Sequence, residues 1–219
     1  MKTGLFISFE GGEGAGKTTQ IKTLKDTVEA AGHEVLLTRE PGGTPEAEKI
    51  RNLLVQRDGG NWDGITELLL FYAARRNHVE TLIKPALAAG KIVITDRFAD
   101  STHAYQCFGH GVSEDTFNQV NDLVLGEFKP DLTFLLDVPV EIGLKRSQSV
   151  NDEGQISAQQ VEDRFERLDK SFHEKLRAGF LTIAQSQPQR FCVVDATLDL
   201  QSIAETLRTK TLKKLKENK

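Results

Sequence analysis

Gly11-Gly12-Glu13-Gly14-Ala15-Gly16-Lys17-Thr18 reads G-x-x-x-x-G-K-T, the pattern of a phosphate-binding loop. Its flanks supply the required context. Leu5-Phe6-Ile7-Ser8-Phe9 before it is a short run of β-formers, and Ile21, Leu24 and Val28 after it share one helix face. Strand, glycine loop and helix together curl backbone N–H groups around an anion and add the positive end of a helix. In such a loop the lysine, here Lys17, reaches the β- and γ-phosphates, and the hydroxyl of Thr18 holds Mg²⁺. A chance glycine-rich turn is the alternative, and the two matching flanks weigh against it.

The chain has 219 residues, room for one α/β domain, 1–219. Its 28 basic and 32 acidic residues leave a net charge of −4, so no basic face points to duplex nucleic acid. Cys107 and Cys192 lie far apart with no C-x-x-C partner, which suits a reducing, cytoplasmic setting better than a disulfide framework. The glycine loop starts too early to leave room for a signal segment, and the apolar runs are too short to span a bilayer. No membrane contact is expected.

Working outward, strands are expected at Glu34–Thr38, Ile92–Thr95, Leu132–Leu136 and Phe191–Val194, in addition to the first. Between them a helix carries Ile50, Leu53 and Leu54, and Asn52 to Gly64 reads as a loop. A long helical pattern runs from Ile65 to Ala89, with Pro85 expected to kink or restart it. Ser101–Phe108 is a short helix, and another runs from Ser113 to Leu125. Val140–Arg146 is helical, Ser147–Gln155 is polar without apolar period and reads as a mobile segment, and helices return over Ser157–Ser186 and Leu200–Leu215. Trp62 is expected in a satellite core. The alternation predicts an α/β fold: a five-stranded parallel sheet with helices on both faces. Ligands then collect at the carboxyl ends of the strands, where the glycine loop, Arg39-Glu40, Asp96-Arg97 and Asp137 all fall.

Several segments together resemble the thymidylate kinase family. They are Gly11–Thr19, Thr38-Arg39-Glu40-Pro41-Gly42-Gly43-Thr44 and Asp96-Arg97-Phe98-(x)2-Ser101-(x)2-Ala104-Tyr105-Gln106. Leu70-Phe71-(x)2-Ala74-Arg75, Asp137-Val138-Pro139 and Asp163-Arg164-Phe165-Glu166 fit as well. The match runs nearly the whole chain in order, and the T-R-E-P-G-G and D-R-(x)3-S-(x)2-A-Y-Q segments are far more specific than the loop. The bacterial branch fits best, because position 14 is Gly where the eukaryotic branch has arginine.

The resemblance implies a P-loop kinase architecture with a mobile lid at about 147–163, ATP and dTMP as substrates, Mg²⁺ as cofactor and a homodimer. ATP falls to Gly11, Gly12, Glu13, Gly14, Ala15, Gly16, Lys17 and Thr18. The acceptor phosphate falls to Arg97 and Arg51. Phe71 stacks on thymine and Arg75, one turn on, bonds a base carbonyl; Thr102 and Gln106 face the base, a glutamine amide offering both donor and acceptor. Glu13 turns away from the phosphates toward the acceptor sugar, and Glu40 takes a similar acidic position; capping of tight turns is the plainer reading of both. Two readings of Asp96 stand, a Mg²⁺ ligand through water and a structural carboxylate. The acceptor is already an anion, so no general base is needed, and catalysis rests on Lys17, Arg97 and a further cation.

The chain departs from the family twice. Cys107-Phe108 stands where the family has Gly-Gly, so a changed loop conformation is expected there. The segment Ser147–Gln155 lacks the lid arginines of the bacterial branch, leaving Arg146 and Arg164 at its ends as donor-side cations, with Arg164 favoured by its D-R-F-E setting. The five histidines form no ligand spacing and are assigned no catalytic role. Another nucleoside or nucleotide kinase is the nearest competing reading, with Glu40 the one tempting base. A GTPase switch lacks its N-K-x-D segment.

Overall fold

The computed structural model describes residues 4–56, 60–153 and 168–217. Five strands, β1 (Leu5–Glu10), β2 (Val35–Arg39), β3 (Ile92–Asp96), β4 (Leu132–Asp137) and β5 (Phe191–Asp195), form one parallel sheet in the order β2-β3-β1-β4-β5. β1 is central and buried along its whole length. Its alternation serves both faces of the sheet. Leu5, Ile7 and Phe9 pack beneath α1 (Lys17–Ala30) and α9 (Leu200–Glu217), together with Ile21, Leu24, Val28, Ile203 and Leu207. Phe6 packs on the other face with Val79, Ile83 and Phe98. Because the chain leaves β1 to one side for β2 and β3 and returns to the other for β4 and β5, the crevice of the sheet lies at the carboxyl end of β1.

The other helices are α2 (Pro45–Val55), α3 (Gly64–His78), α4 (Lys84–Ala88), α5 (Ala99–Thr102), α6 (Glu114–Val124), α7 (Val140–Glu153) and α8 (Lys170–Ser186). Thr44, Asp63, Ser113 and Asp169 cap α2, α3, α6 and α8 by accepting from backbone N–H groups of the first turn. The expected restart at Pro85 takes the form of a π-helical turn, Val79–Ile83, between α3 and α4. Widening this turn, with Lys84 N–H donating to Val79 O, accommodates a proline that has no N–H of its own.

Four boundaries differ from the sequence reading. The expected loop at Asn52–Gly64 is shorter, because α2 continues to Val55 and α3 begins at Gly64; Leu54 is buried, whereas Leu53 is 44% exposed. The polar segment after Arg146 continues α7 to Glu153, since no glycine or proline intervenes between Leu144 and Glu153. The helix expected from Ser157 starts at Lys170, because Asp169 in extended backbone caps it; residues 157–167 of that expectation lie outside the described residues. After α5 the chain winds into a second π-helical segment, His103–Gly109, so Cys107-Phe108 extends a helix instead of forming a changed loop.

Phe108 is the reason this segment can lie against α8. Its ring occupies the space where Gly179 lacks a side chain, and a Cβ there would stand 2.6–2.9 Å from Phe108 carbons. Gly179→Ala gains about 1 kcal/mol of helix propensity but overpacks this contact at a typical cost of about 1–3 kcal/mol. We expect the urea midpoint to fall or at best to stay level; a clear rise would show that Phe108 does not fill the Gly179 position.

Candidate active site

A cleft of about 1070 Å³ opens at the carboxyl end of β1, β2 and β3. One wall carries Arg39, Glu40, Pro41, Arg51, Phe71, Arg75, Arg97, Phe98, Ser101, Thr102, Tyr105 and Gln106; the other carries residues 13–22, Arg146, Ala196, Leu198, Leu200 and Ile203. The sequence-derived candidates therefore meet in one cavity, with Arg164 lying outside the described residues and Gly11 and Gly12 at the loop's base.

The loop between the walls is shaped by its glycines. Gly16 caps α1 in the left-handed conformation (φ 87°) and no side chain caps that helix, so its first N–H groups face the loop's concavity. Lys17 Nζ spans the loop, donating to the carbonyls of Gly11 and Gly12 at 3.1 Å each. Gly14 (φ 63°) lies against α7: a Cβ there would stand 2.0 Å from Gly143 O and 3.1 Å from Arg146 Cβ. No larger residue fits at position 14 with α7 in this place. Arg146 itself donates from Nη1 to Ala196 O at 2.9 Å, which draws its guanidinium to the cleft beside the loop. Thr18 Oγ1 and Asp96 Oδ2 are 3.4 Å apart at the loop's edge, a pair of hard oxygen donors suited to Mg²⁺ and its waters.

Arg97 follows β3 with a left-handed backbone (φ 68°), an unfavourable state for a side chain with a Cβ. Its surroundings impose that state. Its N–H donates to Phe9 O at 2.9 Å, and its carbonyl accepts from Thr95 Oγ1 at 2.9 Å. The guanidinium is then clamped by Gly11 O (3.0 Å), Ser101 Oγ (3.1 Å) and Glu13 Oε1 (2.8 Å), with its carbon 5.4 Å from the Tyr105 ring centre. Glu13 also accepts from Tyr105 OH at 2.7 Å. Burial alone would raise the Glu13 carboxyl; the charges of Arg97 and Lys17 and the Tyr105 hydrogen bond outweigh it and hold Glu13 at about 2. Glu13 is thus the fixed anion between two cations, not a turn cap.

The acceptor wall centres on a buried network. Arg75 donates from Nε to Glu40 Oε2 (2.7 Å) and from Nη2 to Thr102 Oγ1 (2.8 Å). The other Glu40 oxygen meets His78 Nδ1 at 2.9 Å, and His78 Nε2 meets Thr38 Oγ1 at 2.6 Å. Glu40 therefore positions Arg75 and caps no turn. Gln106 donates from Nε2 to the fully buried Glu67 at 2.9 Å, which leaves its Oε1 as an acceptor without a protein partner among the described residues. Two buried polar atoms on this wall have no protein partner among the described residues, Arg75 Nη1 and Gln106 Oε1. Phe71 lines the cleft half-buried, while its neighbour Tyr72 enters the core. Arg51 donates from Nη1 to Pro41 O at 2.7 Å, and the Glu40–Pro41 peptide is cis.

Other expectations fall elsewhere. Asp137 ends β4 as expected, but both its oxygens are engaged by Arg177 (2.7 and 2.8 Å), outside the main cleft. Sequence reasoning gave Glu67 and His78 no part in the site and quoted Tyr105 only within the A-Y-Q segment, without a role, since all three look like ordinary helix residues until the fold brings their polar ends to partners. It also passed over the Ala196–Leu200 wall, for which the sole signal was its place just after β5.

A glycine loop on the central strand, a threonine–aspartate oxygen pair and a ring of arginines define a P-loop phosphotransferase. The pattern of the thymidylate kinase family matches residues 9–207. The chain is 47% identical to a thymidylate kinase of Caulobacter vibrioides over 215 residues, covering 98% of this chain and 99% of that one. It is 48% identical to a thymidylate kinase of Syntrophotalea carbinolica, covering 92% of each chain. The crystal structure of thymidylate kinase from Ehrlichia chaffeensis superposes with a TM-score of 0.73 at 35% identity, over 98% of this chain and 99% of that one. The chain belongs to the thymidylate kinase family.

Behind Arg97, the fully buried Glu10 accepts from Phe98 N–H (2.8 Å) and from Ser101 Oγ. Burial, with the nearby charge of Asp100, pushes its carboxyl up to about 8 from an ordinary 4.5. The folded chain thus keeps a proton that the unfolded chain releases. This contribution to stability is complete below pH 4.5 and is lost as pH rises toward 8. Urea unfolding across this range should show stability falling with pH less steeply in Glu10→Gln than in the parent. Identical slopes would contradict a protonated Glu10.

Proposed function

We propose the following residue roles for transfer of the γ-phosphate of ATP to dTMP, giving dTDP and ADP in dTTP synthesis. The reaction joins two anions, so the site must hold them in line, cancel their repulsion and exclude water. The glycine loop and Lys17 hold the donor phosphates, and Ala196, Leu198 and Leu200 offer an apolar wall for the donor base. Arg97 and Arg51 hold the acceptor phosphate. Arg146 supplies donor-side charge from its place beside the loop; Arg164 remains a second candidate for that task. Thr18 and Asp96 fit Mg²⁺, which when bound neutralises charge on the phosphate oxygens. Residues at about 147–163 are assigned to the lid, whose first part is the end of α7. Exposed Leu53, Ile65, Leu69 and Leu123 on α2, α3 and α6 support the homodimer that the resemblance implies.

The observation that carries the assignment of the base is the pair of unpartnered buried atoms, Arg75 Nη1 and Gln106 Oε1. One is a donor and the other an acceptor, the complement of a carbonyl beside an N–H, as thymine presents at O4 and N3. Cytosine reverses both: its amino group would face a donor and its bare N3 an acceptor. Each buried group left unpaired costs about 1–3 kcal/mol. Stacking on Phe71, worth about 1–3 kcal/mol, supports any base and does not discriminate.

A coupled ADP-release assay across dTMP, dUMP, dCMP and AMP tests this. We expect dTMP first, dUMP weaker by one methyl group's packing, and dCMP lower in catalytic efficiency by at least about hundredfold. Arg75→Ala should narrow the gap between dTMP and dCMP. A parent enzyme that prefers dCMP or AMP would overturn the assignment of the base while leaving the phosphotransfer chemistry intact.

A further inference from the structure

Away from the phosphate site, His103, Cys107 and Glu114 bring a nitrogen, a sulfur and a carboxylate oxygen within 4.8 Å of one another. The fold builds this cluster from two elements. His103 and Cys107 stand about one turn apart on the π-helical segment that follows α5, and Glu114 is the first residue of α6. The His103 ring is held in plane by stacking on Phe117, with centres 4.3 Å apart and planes 15° from parallel, and Phe108 lies at a tilt 5.7 Å away. This fixes the Nε2 edge toward Glu114, whose two oxygens lie at 2.7 and 2.9 Å. Cys107 reaches the same point from a half-buried position against the apolar group of Leu68, Tyr72 and Phe117. Phosphotransfer uses none of these three side chains.

We propose that His103, Cys107 and Glu114 form a binding site for a thiophilic divalent cation of the zinc type. Imidazole, thiolate and carboxylate together match a borderline-soft ion, whereas Mg²⁺ prefers oxygen alone. With metal–ligand bonds of about 2.0–2.3 Å, tetrahedral donors stand roughly 3.3–3.8 Å apart. The three side chains approach that spacing, so binding needs a small opening of the His103–Glu114 contact and a small closing of Cys107. Glu114 is exposed at 54% of its side chain while His103 is at 18%, which gives the ion an entry path and leaves its fourth position to water. Gln106 lies between the first two ligands in sequence, so an ion here ties the turn carrying the acceptor-site amide to α6.

The test is a Co²⁺ titration of the metal-free chain in the absence of nucleotide, followed by absorption. We expect a thiolate-to-cobalt band in the near ultraviolet that saturates at one ion per chain and disappears on adding Zn²⁺. Cys107→Ser should abolish the band, Cys192→Ser should leave it, and His103→Ala and Glu114→Gln should each weaken Co²⁺ binding by at least about tenfold. The oxygen donors of Thr18 and Asp96 cannot produce a thiolate band. In the parent chain, Zn²⁺ should also protect Cys107 but not Cys192 from alkylation, which keeps the test valid if Cys107→Ser folds poorly. Absence of the band at millimolar Co²⁺, a band that follows Cys192, or Zn²⁺-independent alkylation of Cys107 would overturn the site.

Discussion

Glu40 is a buried carboxylate held between Arg75 and His78, and the acceptor side of the molecule is arranged around it. A carboxylate taken out of water is stable only where its oxygens are fully engaged. Here one oxygen takes Arg75 Nε and the other His78 Nδ1. The His78 ring bridges Glu40 and Thr38, its Nε2 lying 2.6 Å from the Thr38 hydroxyl. The end of β2, the last turn of α3 and the end of α5 are thereby joined by one hydrogen-bonded chain from Thr38 to Thr102. Breaking such a pair from one side typically costs about 3–5 kcal/mol, because the remaining charge stays buried. What the arrangement gains is direction: Arg75 Nε and Nη2 each hold a protein partner, while the buried Nη1 has none among the described residues.

The same logic recurs at each polar position of the cleft. Glu67 takes the amide nitrogen of Gln106 and so decides which end of that side chain the ligand meets. Glu13 and Tyr105 hold Arg97, whose strained backbone carries the guanidinium to the base of the loop. Catalysis of phosphoryl transfer depends on placing charge before the reaction starts, so that little reorganisation remains at the barrier. The acids of this site contribute by orienting cations. None is required as a base, since the acceptor phosphate is already ionised.

The sheet and the loop could be read from the sequence because their signals are local: apolar runs of five or six residues, glycines at fixed offsets, and helix faces of period 3.6. Helix ends were less legible. α7 continues past Arg146 because nothing in Ser147–Glu153 stops a helix, and a polar surface alone does not. Pro85 marked the break at Val79–Ile83 without showing its π-helical form, and the π-helical segment at His103–Gly109 rests on the Phe108–Gly179 fit between residues far apart in the chain. Phe71, Arg75, Arg97 and Gln106 were picked out through the resemblance and line one cleft, but the pairing of Glu13 with Arg97 and of Glu40 with Arg75 was not legible, since a carboxylate that orients a cation looks in sequence like any turn-forming acid. Glu67 and His78 gave no signal because their partners lie 39 and 38 residues away, and Tyr105, though part of the A-Y-Q segment, gave no sign of its bond to Glu13, 92 residues distant.

The central claim is that Glu40 serves dTMP binding through Arg75. It is tested most directly by a double-mutant cycle on Glu40→Gln and Arg75→Ala, read as dTMP affinity by titration calorimetry, with circular dichroism confirming that each variant is folded. If Glu40 acts by orienting Arg75, the double variant should bind dTMP about as weakly as Arg75→Ala alone, leaving a coupling of roughly 0.5–3 kcal/mol between the two positions. Losses that simply add would contradict the account, because Glu40 would then contact the nucleotide independently of Arg75.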